Sequence, residues 1–195
     1  MSRLAAALAV LLVLVAAVAW QPLAREPAEL VVHRLCTSKT VGAPIAALRA
    51  STPPDRQLHA RAATIAIMAM EDLNRPGPRR FAEEMLFAAA ASTIPRVDRM
   101  TLGPGQISRA FFDRELAALA PGARFPEAVV STSGARNLIE AWIESRLPGD
   151  GDALYAAPAA LEGHLRGIFA AFHGAGDEIY LAAGSAIAAR LCSAR

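Results

Sequence analysis

Two adjacent carboxylates, Glu71 and Asp72, end an internal run from Ala63 to Met70 whose most polar group is a single threonine hydroxyl. A carboxyl at the C-terminal end of a buried helix meets two opponents of its charged form. Apolar neighbours withhold solvation, and the negative end of the helix dipole repels a further negative charge. Glu71 is therefore placed to keep its proton nearer neutral pH, as a general acid requires. The competing reading is a solvated glutamate on a frayed last turn, the commoner fate of a lone carboxylate at a helix end. Asp72 lies about 100° further round the helix and points elsewhere.

A second block, TLGPGQI at Thr101 to Ile107, sets two glycines around a proline ahead of Gln106. Glycines there let backbone approach something that a Cβ would block. The Gln106 amide is a neutral donor and acceptor suited to sugar hydroxyls or an amide, and the alternative is a tight turn in which it has no such role. Other groups offer less. The four histidines, His33, His59, His164 and His173, lack metal-ligand spacing and read as surface or helix-end residues. Ser185 lies among alanines with no base nearby. Asp150-Gly151-Asp152 lacks the further oxygen ligands of a calcium loop and reads as a turn. No metal or other cofactor is expected.

The elements that must position these residues read as helices. Of 195 residues 54% are hydrophobic, with alanine abundant and β-branched residues sparse, which favours an all-α domain. Residues 21–50 read as a proline-punctuated linker and one short helix. Thr52 before Pro53-Pro54-Asp55 reads as the N-cap of a helix reaching about Leu73. Further helices are expected over about 78–91, with Arg79/Glu83 and Arg80/Glu84 as i,i+4 pairs, and over 107–120. Ser133 reads as the cap of the next helix, whose Leu138, Ile139, Trp142 and Ile143 share a face. Leu161, Leu165, Ile168, Phe169 and Phe172 form another stripe, and Asp177 caps a last helix. No strand is required, and the expected product is a compact bundle of about six helices over residues 51–195.

Residues 1–20 set the compartment. Arg3, the apolar run from Leu4 to Ala19 and the Ala17-Val18-Ala19 site resemble a secretory signal, with an uncleaved anchor as the alternative. The expected location is outside the cytoplasm, periplasmic or extracellular, with membrane contact only through this segment. Export allows Cys36 and Cys192 to form a disulfide closing nearly the whole chain. The net charge is +2, and the scattered arginines with one lysine form no basic stripe, which argues against nucleic acid.

The blocks in order resemble the lysozyme-like superfamily, the goose-type lysozyme and lytic transglycosylase domains. Those domains carry a buried helix ending in a catalytic glutamate, a Ser/Thr-x-Gly-x-x-Gln-[Ile/Val/Met] loop, an Asn-[Ile/Leu] helix, and a helix ending in Ala-x-Tyr-Asn. Here stand Glu71, TLGPGQI, Asn137-Leu138 and AAFHGAG from Ala170 to Gly176. The likeness spans about residues 52–180. It implies a monomeric enzyme that cleaves peptidoglycan glycan strands, with Glu71 protonating the glycosidic oxygen. It places Thr101, Gly103, Gln106, Asn137, Phe172 and His173 along the substrate. Hydrolytic members need a second carboxylate, for which Asp98 is the candidate, while lytic members need none. Phe172 and His173 replace the tyrosine and asparagine of the pattern, so a catalytically impaired module that binds glycan or scaffolds an envelope assembly is the alternative.

Overall fold

The structure is a computed structural model, and it describes residues 26–74, 84–85, 101–173 and 177–193. It is mostly helical, as the composition requires. The helices are α1 (Ala28–Thr37), α2 (Gly42–Ala50), α3 (Asp55–Asn74), α4 (Arg109–Phe111), α5 (Glu127–Val130), α6 (Thr132–Glu144), α7 (Pro158–His173) and α8 (Glu178–Arg190). Strands β1 (Thr101–Leu102) and β2 (Ile107–Ser108) pair antiparallel. The chain divides into two compact units. The described residues of one come from Glu71–Leu138 and those of the other from Leu23–Met70 and Ile139–Arg195.

In the second of these units, α8 packs on α7 and on α1. Helix α8 is buried almost without a break from Tyr180 to Ala189, which suits an alanine- and glycine-rich segment that can be approached from several sides. Gly184 makes the approach to α7 possible, since a Cβ there would lie 2.2 Å from Cε1 of Phe169. The side chain of Asp177 accepts the Tyr180 N–H at 2.9 Å, which is the cap expected for this helix. Leu161, Leu165, Ile168 and Phe169 of α7 are buried, and Phe172, one turn further, is half-buried.

Several boundaries differ from the sequence reading. Residues 28–50 hold two helices instead of a linker and one short helix. Helix α1 buries only Val31 and Leu35, and α2 only Ile45 beside its N-cap Val41, too little periodicity to register. Pro44 falls in the first turn of α2, where a helix needs no N–H. Cys36 and Cys192 are joined in a disulfide that fastens α1 to the turn after α8, as expected, and it indicates an oxidising environment.

Thr52 is not a cap. It takes the left-handed conformation, φ 45°, in the turn that closes α2. The cap of α3 comes instead from Asp150, whose Oδ1 accepts the Arg56 N–H at 2.9 Å. Arg56 in turn donates from Nε and Nη2 to the Glu144 carbonyl at 2.8 and 2.6 Å, and Arg61 pairs with Glu140 at 2.9 Å.

In the other unit the expected helix over 107–120 begins as a strand. Ser108 then caps α4 by accepting the Phe111 N–H at 3.1 Å, and residues 112–116 continue as a π-helical turn. The 101–108 ladder corrects the strandless reading; two-residue strands leave no alternation to detect. Ser131, not Ser133, caps α6, accepting the Gly134 N–H at 3.0 Å. Of the expected 78–91 helix only Glu84 and Met85 are among the described residues, and both are helical. The 1–20 segment, Asp98 and the Arg79/Glu83 and Arg80/Glu84 pairings lie outside them. No helix among the described residues is long and apolar enough to cross a membrane.

Candidate functional site

Helix α3 carries two adjacent buried rows. His59, Ala63, Ala66 and Met70 form one, and Ala60, Thr64, Ile67 and Glu71 form the other. The spacing is that of one wide helix face. Glu71 is therefore the residue at which the buried face continues but the apolar composition stops. It is 2% exposed, whereas Asp72 is exposed, so the two carboxylates separate as the 100° step between them requires.

The TLGPGQI block forms the hairpin of the same unit. Thr101 pairs with Ser108 and Leu102 with Ile107, and the turn is closed by the Gln106 N–H on the Gly103 carbonyl at 3.1 Å. Gly103 has φ 68°, and a Cβ on it would lie 1.8 Å from the Val129 carbonyl oxygen. Glycine is thus required both by conformation and by the approach of α5. Gln106 also adopts a positive φ, 50°, and is 8% exposed. Its amide is engaged inside the hairpin. Oε1 accepts from the Thr101 hydroxyl at 2.7 Å, and Nε2 donates to the Gly103 carbonyl at 2.9 Å. The residue read as a candidate for sugar hydroxyls therefore first serves as a clasp that fixes the loop.

Asn137 lies exposed on α6, one residue before the buried Leu138. Phe172 and His173 belong to the other unit. The Phe172 ring tilts against Trp142 with centroids 5.7 Å apart, and the exposed His173 stacks on Tyr180 at 4.0 Å and 14°. Asp98 is outside the described residues. No group of three or more metal-ligating side chains occurs among the described residues. Ser185 is buried with its hydroxyl donated to the Leu181 carbonyl at 2.7 Å, as befits a helix-packing serine and not a nucleophile.

One cluster escaped the sequence reading. His59, read there as a surface or helix-end histidine, is only 5% exposed. Its Nδ1 bonds the Ala188 carbonyl at 2.8 Å, and its ring stacks on Tyr155 with centroids 5.4 Å apart and planes 12° from parallel. Burial lowers the His59 pKa from its ordinary value, against weaker opposing effects of the Ala188 carbonyl and the Asp55 carboxylate. Tyr155 is pushed up to about 12, first by burial and then by Asp150, with Arg56 opposing. The available signal was spacing. His59 falls three and four residues before the buried Ala62 and Ala63, on the inner face of α3.

The same unit has an open groove of about 780 Å³ beside the disulfide, lined by Val32, His33, Ala186 and Arg190 among others. Of the residues singled out above as possible site residues, it contains only the two disulfide cysteines and His33. No family model, curated protein or solved structure matches this chain.

Proposed function

We propose that the protein is a peptidoglycan-cleaving glycosidase, a lytic transglycosylase or lysozyme of lysozyme-like fold, with Glu71 as its single acid/base. One observation carries this reading. A carboxyl 2% exposed continues the inner face of a long apolar helix, in the same compact unit as the tightly packed TLGPGQI hairpin. The ordered likeness of the four sequence blocks gives that carboxyl its role.

In the proposed step the Glu71 carboxyl delivers its proton to the glycosidic oxygen. The C1–O bond breaks, and its electron pair stays with the departing sugar. The resulting carboxylate then takes a proton from the nucleophile that bonds to C1. In a lytic reaction the nucleophile is the sugar's own hydroxyl, which yields an anhydro end; in hydrolysis it is water. The disulfide supports an oxidising location, and the reading places the chain in the periplasm or outside the cell, released or tethered by residues 4–20.

The test is mass spectrometry of purified sacculi digested with wild-type protein and with Glu71→Gln. Soluble muropeptides from the wild type, reduced by at least about 100-fold in the variant, are the expected result. Equal release by both overturns the assignment. A second reading, a glycan-binding or scaffolding module without turnover, is favoured by two observations. Both Gln106 amide atoms bond within the hairpin, and Phe172 lacks the hydroxyl of the resembled tyrosine. It predicts retention of the wild-type protein on sacculi with no muropeptide released.

A further inference from the structure

We infer that residues 148–157 form a strap over α3 that acidification releases through His59. The inference concerns the unit built from Leu23–Met70 and Ile139–Arg195 and is independent of the role given to Glu71.

The strap begins at Pro148, after the turn that follows α6, and reaches α7 at Pro158, with residues 149–153 and 156–157 exposed. Two side chains fasten it to α3. Asp150 accepts the Arg56 N–H at 2.9 Å, and Tyr155 lies flat on the His59 ring. The Tyr155 hydroxyl donates to the Pro148 carbonyl at 2.8 Å, so the strap also closes on itself. Among the described residues its other backbone bonds are short turns within 149–157, the Leu154 N–H on Asp152 Oδ1 at 2.8 Å, and the Ala157 carbonyl accepting the Leu161 N–H of α7 at 3.0 Å. Few attachments and an exposed backbone are the features of a segment that opens ahead of the rest of a fold.

His59 is the fastening that responds to pH. A carbonyl oxygen can only accept, so the bond to Ala188 places a hydrogen on Nδ1 and leaves Nε2 as the protonation site of the neutral ring. The charged and titratable surroundings can be named element by element. On α3 itself they are Asp55, one turn earlier, and Arg56. On the strap they are Tyr155, Asp150 and Asp152, which act with Arg56 and Asp55 on the Tyr155 hydroxyl. From α8 comes the Ala188 carbonyl. Asp55 favours the imidazolium, but burial outweighs it. A proton on Nε2 therefore drives the ring toward water. Tyr155 stacks on this ring, so displacing His59 displaces the strap with it.

Linkage sets the scale. With one proton taken up on opening, the open population grows by at most about tenfold per pH unit, within the interval between the closed-state and open-state His59 values. The test is amide hydrogen exchange on the full oxidised chain at pH 7.5 and 5.5, corrected for intrinsic rates, comparing residues 149–157 with α8. The wild-type strap is expected to lose protection on acidification, by up to about tenfold, and to exchange faster than α8 at both pH values. Asp150→Asn should retain the response, and His59→Gln should abolish it, since a glutamine amide can donate to Ala188 without titrating. Tyr155→Ala, which leaves His59 in place, should give a strap open equally at both pH values. The inference fails if wild-type strap protection is the same at both pH values, or if the strap exchanges no faster than α8. It fails equally if the Tyr155→Ala strap still responds to pH, or if Asp150→Asn removes the response.

Discussion

Removing the disulfide is the perturbation whose size follows most directly from the structure. Cys36 and Cys192 are 156 residues apart, so their bond closes a loop containing most of the chain. In the chain-entropy treatment a loop of that length restricts the unfolded ensemble by roughly 5 kcal/mol, with relaxation of the reduced protein lowering the realised value toward about 2. For a chain of this size each kcal/mol moves Tm by about 2–4 °C, so the loss corresponds to roughly 5–20 °C. The assay is thermal unfolding by circular dichroism of the oxidised wild type and of Cys36→Ala/Cys192→Ala. The double variant avoids a stray thiol. Reduction of the native wild type should also be slow, because both sulfurs adjoin helix C-termini. Cys36 is the penultimate residue of α1, and Cys192 is two past the end of α8. A thiolate expelled there meets the negative end of a dipole and is a poor leaving group. A double variant melting within about 2 °C of wild type would refute the reasoning, since α1 would then be held to α8 by packing alone.

Three further outcomes follow from named contacts. Gly103→Ala should destabilise the protein by about 3 kcal/mol in denaturant unfolding, because its Cβ would meet the Val129 carbonyl at 1.8 Å and its φ is 68°. Gly184→Ala should lose about 1–3 kcal/mol against the Phe169 ring, and adding Phe169→Leu should recover part of it, a coupling measurable by a double-mutant cycle. Global stability should fall with acidification: above pH 6.5 His59 is neutral both folded and unfolded, but below it the unfolded chain takes up the proton that burial denies the folded one. The decline continues until the folded value is reached, and His59→Gln should remove this part of the pH profile in melts between pH 5 and 7.5.

Local rules were legible in the sequence wherever one helix decided the matter. The α7 stripe, the Asp177 cap and the separation of Glu71 from Asp72 need only a 3.6-residue period. What escaped was set by distant partners. The cap of α3 lies 94 residues away at Asp150, so Thr52 was the nearest residue of the right type but not the one used. Helices α1 and α2 bury too few residues to announce themselves, and α1 is secured by the disulfide near its C-terminal end. The Gln106 side chain illustrates the same limit at the candidate site. Its presence was plain, but its direction depends on Thr101 and on the left-handed turn, which no spacing rule reports.

Glu71 concentrates the question of purpose, because burial on the inner face of α3 is an expensive place for a carboxyl whose only duty is stability. Leucine or alanine would complete the Ala60, Thr64 and Ile67 row without any polar group to satisfy. Glutamine at 71 keeps the shape and most of the hydrogen-bonding capacity of the carboxyl while removing the titrating proton. Glu71→Gln should therefore unfold within about 1 kcal/mol of wild type while losing muropeptide release, and that pairing separates chemistry from scaffolding. A variant that loses several kcal/mol together with activity would instead assign Glu71 to the architecture of the unit. In that event the resemblance of the surrounding blocks would describe a helix-and-hairpin frame, with no acid to operate it.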